Sequence, residues 1–173
     1  NLINGGRTFL QDVSNQIIFQ ELRFVADGTS SFKWLVGADY FSHDNTEEFD
    51  QWQGALFANA QRRTVNMNAD SWAAFGSAEY SFSDIPVTIT GELRYAVDKI
   101  DGDVLTFRNR DRVVPQTDFA ADDSFTNLPW SLTASYRFSE QDVMAYAKVA
   151  SSYRQGGMNL NEGSPGVELY PAV

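Results

Sequence analysis

Few side chains in this sequence are suited to chemistry, and their spacing argues against catalysis. His43 is the only histidine and there is no cysteine, so no Ser-His-Asp triad, Cys-His pair, thiolate site or imidazole cluster can be assembled. Glu47, Glu48 and Asp50 offer carboxylates to a hard cation, but their spacing fits no calcium loop. Asp98, Asp101, Gly102 and Asp103 fall short of the EF-hand pattern and read as a turn leaving a strand. His43 reads as a solvated residue at a strand end. Glu79 and Glu92, carboxylates on neighbouring strands, imitate a glycosidase acid/base pair only in kind; they read better as partners of Arg94 lining a polar lumen. The expectation is a protein that is not an enzyme, with no catalytic residue, no metal site and no cofactor.

The basic residues suggest binding. Arg108, Arg110 and Arg112 alternate with Phe107, Asn109 and Asp111, so an extended backbone would aim all three guanidiniums one way. With Arg62, Arg63 and Trp52 in another polar stretch they are candidate ligand contacts, offering cations and an aromatic surface to an anionic or aryl ligand such as a ferric chelate. Nucleic acid is not an expected partner, because a chain of net charge −10 cannot neutralise a phosphate backbone.

The elements that would position these residues are extended. In residues 15–27, Ile18, Leu22, Phe24 and Ala26 alternate against Glu21 and Arg23; in 32–42, Trp34, Val36, Ala38 and Tyr40 alternate against Lys33 and Asp39. A second pair spans 70–83 and 86–99, where Trp72, Ala74, Gly76, Ala78 and Tyr80, then Val87, Ile89, Leu93, Tyr95 and Val97, oppose Glu79, Glu92, Arg94 and Asp98. A third pair spans 129–138 and 143–154: Leu132, Ala134, Tyr136 and Phe138 on the first arm and Val143, Ala145, Ala147, Val149 and Tyr153 on the second oppose Arg137, Lys148 and Arg154. Period-two alternation of this kind is the signature of a strand with two unlike faces. Short polar turns near 28–31, 83–86 and 139–142 alternate with long polar segments at 43–69, 99–128 and 155–173, which read as loops. The predicted fold is all-β: an antiparallel up-and-down meander of about six long strands.

Two surroundings suit the apolar face. In a soluble sandwich it would be the core, and the protein would be a ligand-binding module, for example for carbohydrate, with Trp52 as a stacking platform. In a membrane barrel it would meet lipid. Two features favour lipid. Bulky aromatics stand at the ends of the apolar faces with small residues between them, as at the two interfaces of a bilayer, and the segments have the length of about ten residues that a tilted strand needs to cross. Mean hydropathy is −0.34, which is no objection, because alternation averages a transmembrane strand toward neutrality.

The segment DVMAYAKVASSYRQGGMN resembles a stretch common in the barrels of TonB-dependent outer-membrane receptors, where a strand ends in a Tyr-Ala-x-x-x-x-Gly-Tyr-Arg-Pro-Gly-Gly-Phe-Asn-like pattern before an extracellular loop. Tyr146, Ala147, Tyr153, Arg154, Gly156, Gly157 and Asn159 match, whereas Ser152, Gln155 and Met158 replace the Gly, Pro and Phe. Gln20 to Arg23, and Leu93 to Tyr95 with Asp98, look like other strands of the family. The resemblance implies that residues 1–173 are an open part of a barrel of about 22 strands, with no counterpart of the plug. It implies location in the outer membrane of a Gram-negative-type cell, with outer-membrane lipid, a nutrient such as a ferric siderophore, and the TonB complex, through the missing plug, as partners. Six strands cannot close a membrane barrel, and edges left unpaired in lipid are prohibitive, so a fragment of a larger wall is expected.

Overall fold

A computed structural model describes residues 7–26, 31–53, 59–108, 117–138, 143–159 and 168–170. The strands are β1 (Arg7–Ala26), β2 (Phe32–Gln53), β3 (Asn59–Ser81), β4 (Val87–Arg108), β5 (Thr117–Asn127), β6 (Trp130–Phe138), β7 (Val143–Ser151), and the short β8 (Gly157–Asn159) and β9 (Glu168–Tyr170). They form one antiparallel sheet in the order β1-β2-β3-β4-β6-β7, with β5 also on β4, and a separate β8-β9 ribbon. The sheet is open. It is the expected meander of about six long strands, because β5 and β6 are one strand in all but label: Asn127 pairs with Ala96 and Trp130 with Leu93, so the register passes through Leu128 and Pro129 without a slip. Exposure also alternates without interruption from 119 to 135. The label breaks because Pro129 has no N–H. The Arg94 amide donates to the Pro129 carbonyl at 3.0 Å, but the reciprocal ladder bond cannot form.

Each strand pair keeps one register along its whole length, so the faces of separate strands can be compared. Trp34 stands opposite Ala26 and Ala78, Trp72 opposite Tyr40 and Val97, Leu93 opposite Gly76 and Trp130, and Leu132 opposite Val149. The apolar faces read strand by strand therefore merge into one face of the sheet. Among the described residues no second layer covers it: Val36 is 47% and Leu93 52% exposed, and Ala78 and Ala147 are exposed as well. Among the described residues the apolar face forms no closed core.

On this outer face Phe32 and Tyr40, Trp72 and Tyr80, and Trp130 and Phe138 each stand eight positions apart. At about 3.3 Å per residue that is roughly 26 Å along the strand, comparable with an apolar band about 25 Å tall. The rims are built from touching rings: Trp72 against Tyr95 at 5.9 Å, Tyr80 against Phe82 at 4.9 Å and Tyr136 against Phe138 at 4.7 Å. At the lower rim the chain turns back tightly, with the Phe82 amide donating to the Val87 carbonyl at 3.0 Å. The turn over 139–142 lies outside the described residues, as does most of the one near 28–31.

The upper connections differ from the sequence expectation. Residues 43–53 and 59–69 are strand, as are 99–108 and 117–127; β2 and β3 remain paired to Gln53 and Asn59. The strands therefore continue well above the upper rim as raised hairpins. Along β4 burial still alternates there, with Ile100, Val104 and Thr106 buried between more exposed neighbours, but neither face of the hairpins is uniformly apolar, so side-chain type carries no clear period while the backbone ladder goes on. Asp98 to Asp103 is accordingly the middle of β4, not a turn leaving a strand, and His43 lies within β2, not at its end.

Candidate functional site

The inner face carries the charges. Arg94 bridges over β3 to Asp39 with two bonds, 2.6 and 2.9 Å, and the Asp39 side chain is 5% exposed against 38% for Arg94. Lys33 meets Glu79 at 3.5 Å, Lys148 meets Glu92 at 3.3 Å, and the Ser131 hydroxyl also donates to Glu92. Arg23 pairs with Glu21 within β1. The expectation that Glu79 and Glu92 partner Arg94 is thus corrected: each has its own lysine, and Arg94 reaches the buried Asp39. Sidedness alone cannot choose among carboxylates, whereas the register puts Asp39 two positions along from the residue that shares Phe75 with Arg94.

Phe75 is the organising ring of this face. Its register partners are Gly37 on β2 and Arg94 on β4, and both the Arg23 and Arg94 guanidiniums lie 5.7 Å from its centroid. The space comes from Gly37, where a Cβ would stand 2.6 Å from the ring Cζ and 2.7 Å from the Leu22 carbonyl. Around it is an open groove of about 530 Å3 lined by Arg23, Phe75, Glu92, Arg94, Ser131 and Lys148. Higher up, Phe19 and Phe41 pair across β1 and β2, so the inner face is mixed rather than wholly polar. The sequence gives no local sign of this cluster, because Arg23, Gly37, Phe75 and Arg94 are contributed by four different strands.

The family-like segment turns inward. Beyond Ser151 the chain leaves the sheet, and the Tyr153 hydroxyl donates to Asp98 Oδ2 at 3.0 Å; Asp98 is 2% exposed and belongs to the charged face of β4. Tyr153 therefore does not share the apolar face of β7, as its parity suggested, because the alternation ends with the strand. Gly156 is buried, Arg154 is exposed, and Asn159 pairs with Glu168 in the β8-β9 ribbon. Gln155 to Met158 close a cavity of about 200 Å3 against His43, Asn45, Met67, Ala69 and Ile100. His43 is half-buried there, with Nε2 3.2 Å from Asn15 Oδ1.

The raised hairpins divide the other candidates. Arg62 is held by Glu48 at 2.7 Å and Asp50 at 3.7 Å. These residues share the parity of the outer face, as does Trp52, whereas Arg63 has the opposite parity. Position 108 pairs with Gln61; Arg110 and Arg112 lie outside the described residues. Among the described residues no cluster of three metal-ligating side chains occurs, and no helix is long and apolar enough to cross a membrane, which says nothing of strands.

An open antiparallel sheet with a bare apolar face between two aromatic rims, a charged opposite face and tall hairpins at one end defines the wall of a transmembrane β-barrel. The family model for TonB dependent receptor-like β-barrels matches residues 2–171, and the chain belongs to that family. Its fold is similar to that of the ferric yersiniabactin uptake receptor FyuA from Yersinia pestis, with a TM-score of 0.74 at 17% identity over 96% of this chain. It is also similar to the RagAB peptide transporter, with a TM-score of 0.52 at 10% identity over 94% of this chain. The chain spans 25% and 26% of those two chains. No curated protein matches it in sequence. The family is one of outer-membrane transport receptors, not of enzymes.

Proposed function

We propose that the chain is part of the wall of an outer-membrane receptor that takes up a scarce nutrient, a ferric siderophore or a chelate of similar size and charge, driven by the TonB system. The observation that carries this reading is the division of one sheet into a lipid-suited face and a charged face. FyuA, similar in fold, is by its name a ferric yersiniabactin uptake receptor. In this reading residues 1–173 form one barrel domain, outer-membrane lipid bathes the apolar face, and TonB acts through parts of the receptor outside this chain. Selectivity in this portion lies in the raised hairpins. Arg63, Arg108, Arg110 and Arg112 supply cations to an anionic ligand, while Arg62 and Trp52 shape the outer side of the same hairpins.

The test is uptake of radiolabelled iron by cells carrying the whole receptor, across a panel of ferric chelates, with and without TonB. Saturable, TonB-dependent uptake of one chelate class is expected. Failure to bind any chelate, or uptake that persists without TonB, would overturn the reading.

A further inference from the structure

We propose that residues 152–159 form a two-position strap: docked inside the wall as seen here, and able to zip onto the free edge of β5 as a continuation of β7.

The edge is there to be used. β7 pairs with β6 up to Ser151 opposite Trp130, and β5 carries the same strand on upward with β4 as its only partner among the described strands. Extending the β6-β7 register by eight residues would place Tyr153 opposite Leu128, Gln155 opposite Thr126, Gly157 opposite Ser124 and Asn159 opposite Asp122. Pro129 is no obstacle, because its carbonyl and its missing donor both face β4. An antiparallel ladder alternates the side on which its bonds lie, so Leu128 and Thr126 present their polar groups toward β7.

The strap also has two places for Tyr153. Zipped, the tyrosine takes the outer parity of β7, in the register row of Tyr95 and so at the height of the upper aromatic rim. Docked, its hydroxyl is held by the buried Asp98. In the docked position Gly156 is buried, whereas a Cβ at Gly157 would meet nothing within 4 Å. Opening the strap uncovers His43, Met67, Ala69 and Ile100, so a ligand that contacts this inner surface favours the zipped position. Differential affinity for the two positions is all that such a shift requires.

The whole receptor in outer-membrane vesicles provides the test, and its readout does not depend on uptake. Thr126→Cys with Gln155→Cys marks the zipped position in a chain with no native cysteine, since residues opposed across a ladder lie within disulfide reach. Leu132→Cys with Val149→Cys, already paired, reports intact folding. Slow oxidation of the first pair is expected, with a rise of about tenfold on adding Tyr153→Phe, the shift that losing one hydrogen bond to a charged acceptor produces. Asp98→Asn, which keeps an acceptor for the tyrosine, is expected to give a smaller rise. If the control pair oxidises normally while the first pair never forms, or forms at a rate indifferent to Tyr153→Phe, the strap has one position and the proposal fails.

Discussion

The ring of Phe75 lies directly over Gly37, so close that a methyl group at residue 37 would stand 2.6 Å from Cζ on one side and 2.7 Å from the Leu22 carbonyl on the other. The carbonyl belongs to the β1-β2 ladder and cannot withdraw without breaking it. Gly37→Ala is therefore expected to destabilise the wall by about 1–3 kcal/mol, the usual range for overpacking. Gly91→Ala, where no atom lies within 4 Å, is expected to change little. The heat at which the folded receptor loses its compact mobility on a denaturing gel measures both.

A one-residue shift along β2 changes the solvent. Val36 lies midway between Phe32 and Tyr40 on the outer face and Leu35 on the inner. Val36→Arg is expected to cost roughly 2–4 kcal/mol, as a cation does near the bilayer midplane, and to reduce the amount of receptor assembled in the outer membrane. Leu35→Arg, facing the charged side, is expected to assemble at a level closer to the parent. Equal defects in the two variants would count against the assignment of faces.

Within the Arg94–Asp39 pair the carboxylate is the buried member. Arg94→Met strands a charge in the wall and is expected to cost about 2–3 kcal/mol, below the range for a fully buried pair because the arginine is partly exposed. Asp39→Asn still accepts from the guanidinium and is expected to lose less than half as much. Urea unfolding of the reconstituted receptor gives both values.

Arg62 and Arg63 are adjacent in sequence and opposite in facing. Under the proposed function Arg63→Ala is expected to weaken binding of an anionic chelate about tenfold, the scale of one charge-assisted contact. Arg62→Ala, which removes pairs to Glu48 and Asp50 on the outer side, is expected to change affinity by less than about twofold, since partly exposed pairs contribute little. Equilibrium binding to the purified receptor separates them.

The transmembrane part of the fold was legible because lipid on one side imposes a period of two: between the aromatic rims Glu21, Arg23, Lys33, Asp39, Glu79, Glu92, Arg94, Arg137 and Lys148 all fall on the inner side of the registered sheet. Above the upper rim that constraint lapses. His43 to Gln53 and Asn59 to Ala69 hold their ladder by backbone bonds that leave no mark on side-chain type, so they read as loops. Pro129 likewise hid the continuity of β5 with β6. The inner cluster was the least legible, because Gly37, Phe75, Arg94 and Asp39 meet only once two registers are known, and Tyr153 escapes parity by leaving its strand.

The identity of the solvent on the apolar face underlies the whole account, and spin-label accessibility along β3 in bilayers tests it most directly. With single nitroxides placed in turn from residue 72 to residue 80 of the whole receptor, the account predicts that even positions collide with oxygen dissolved in lipid and odd positions do not. Even positions that are immobilised and shielded from both oxygen and a water-soluble nickel reagent would mean that protein, not acyl chains, covers this face.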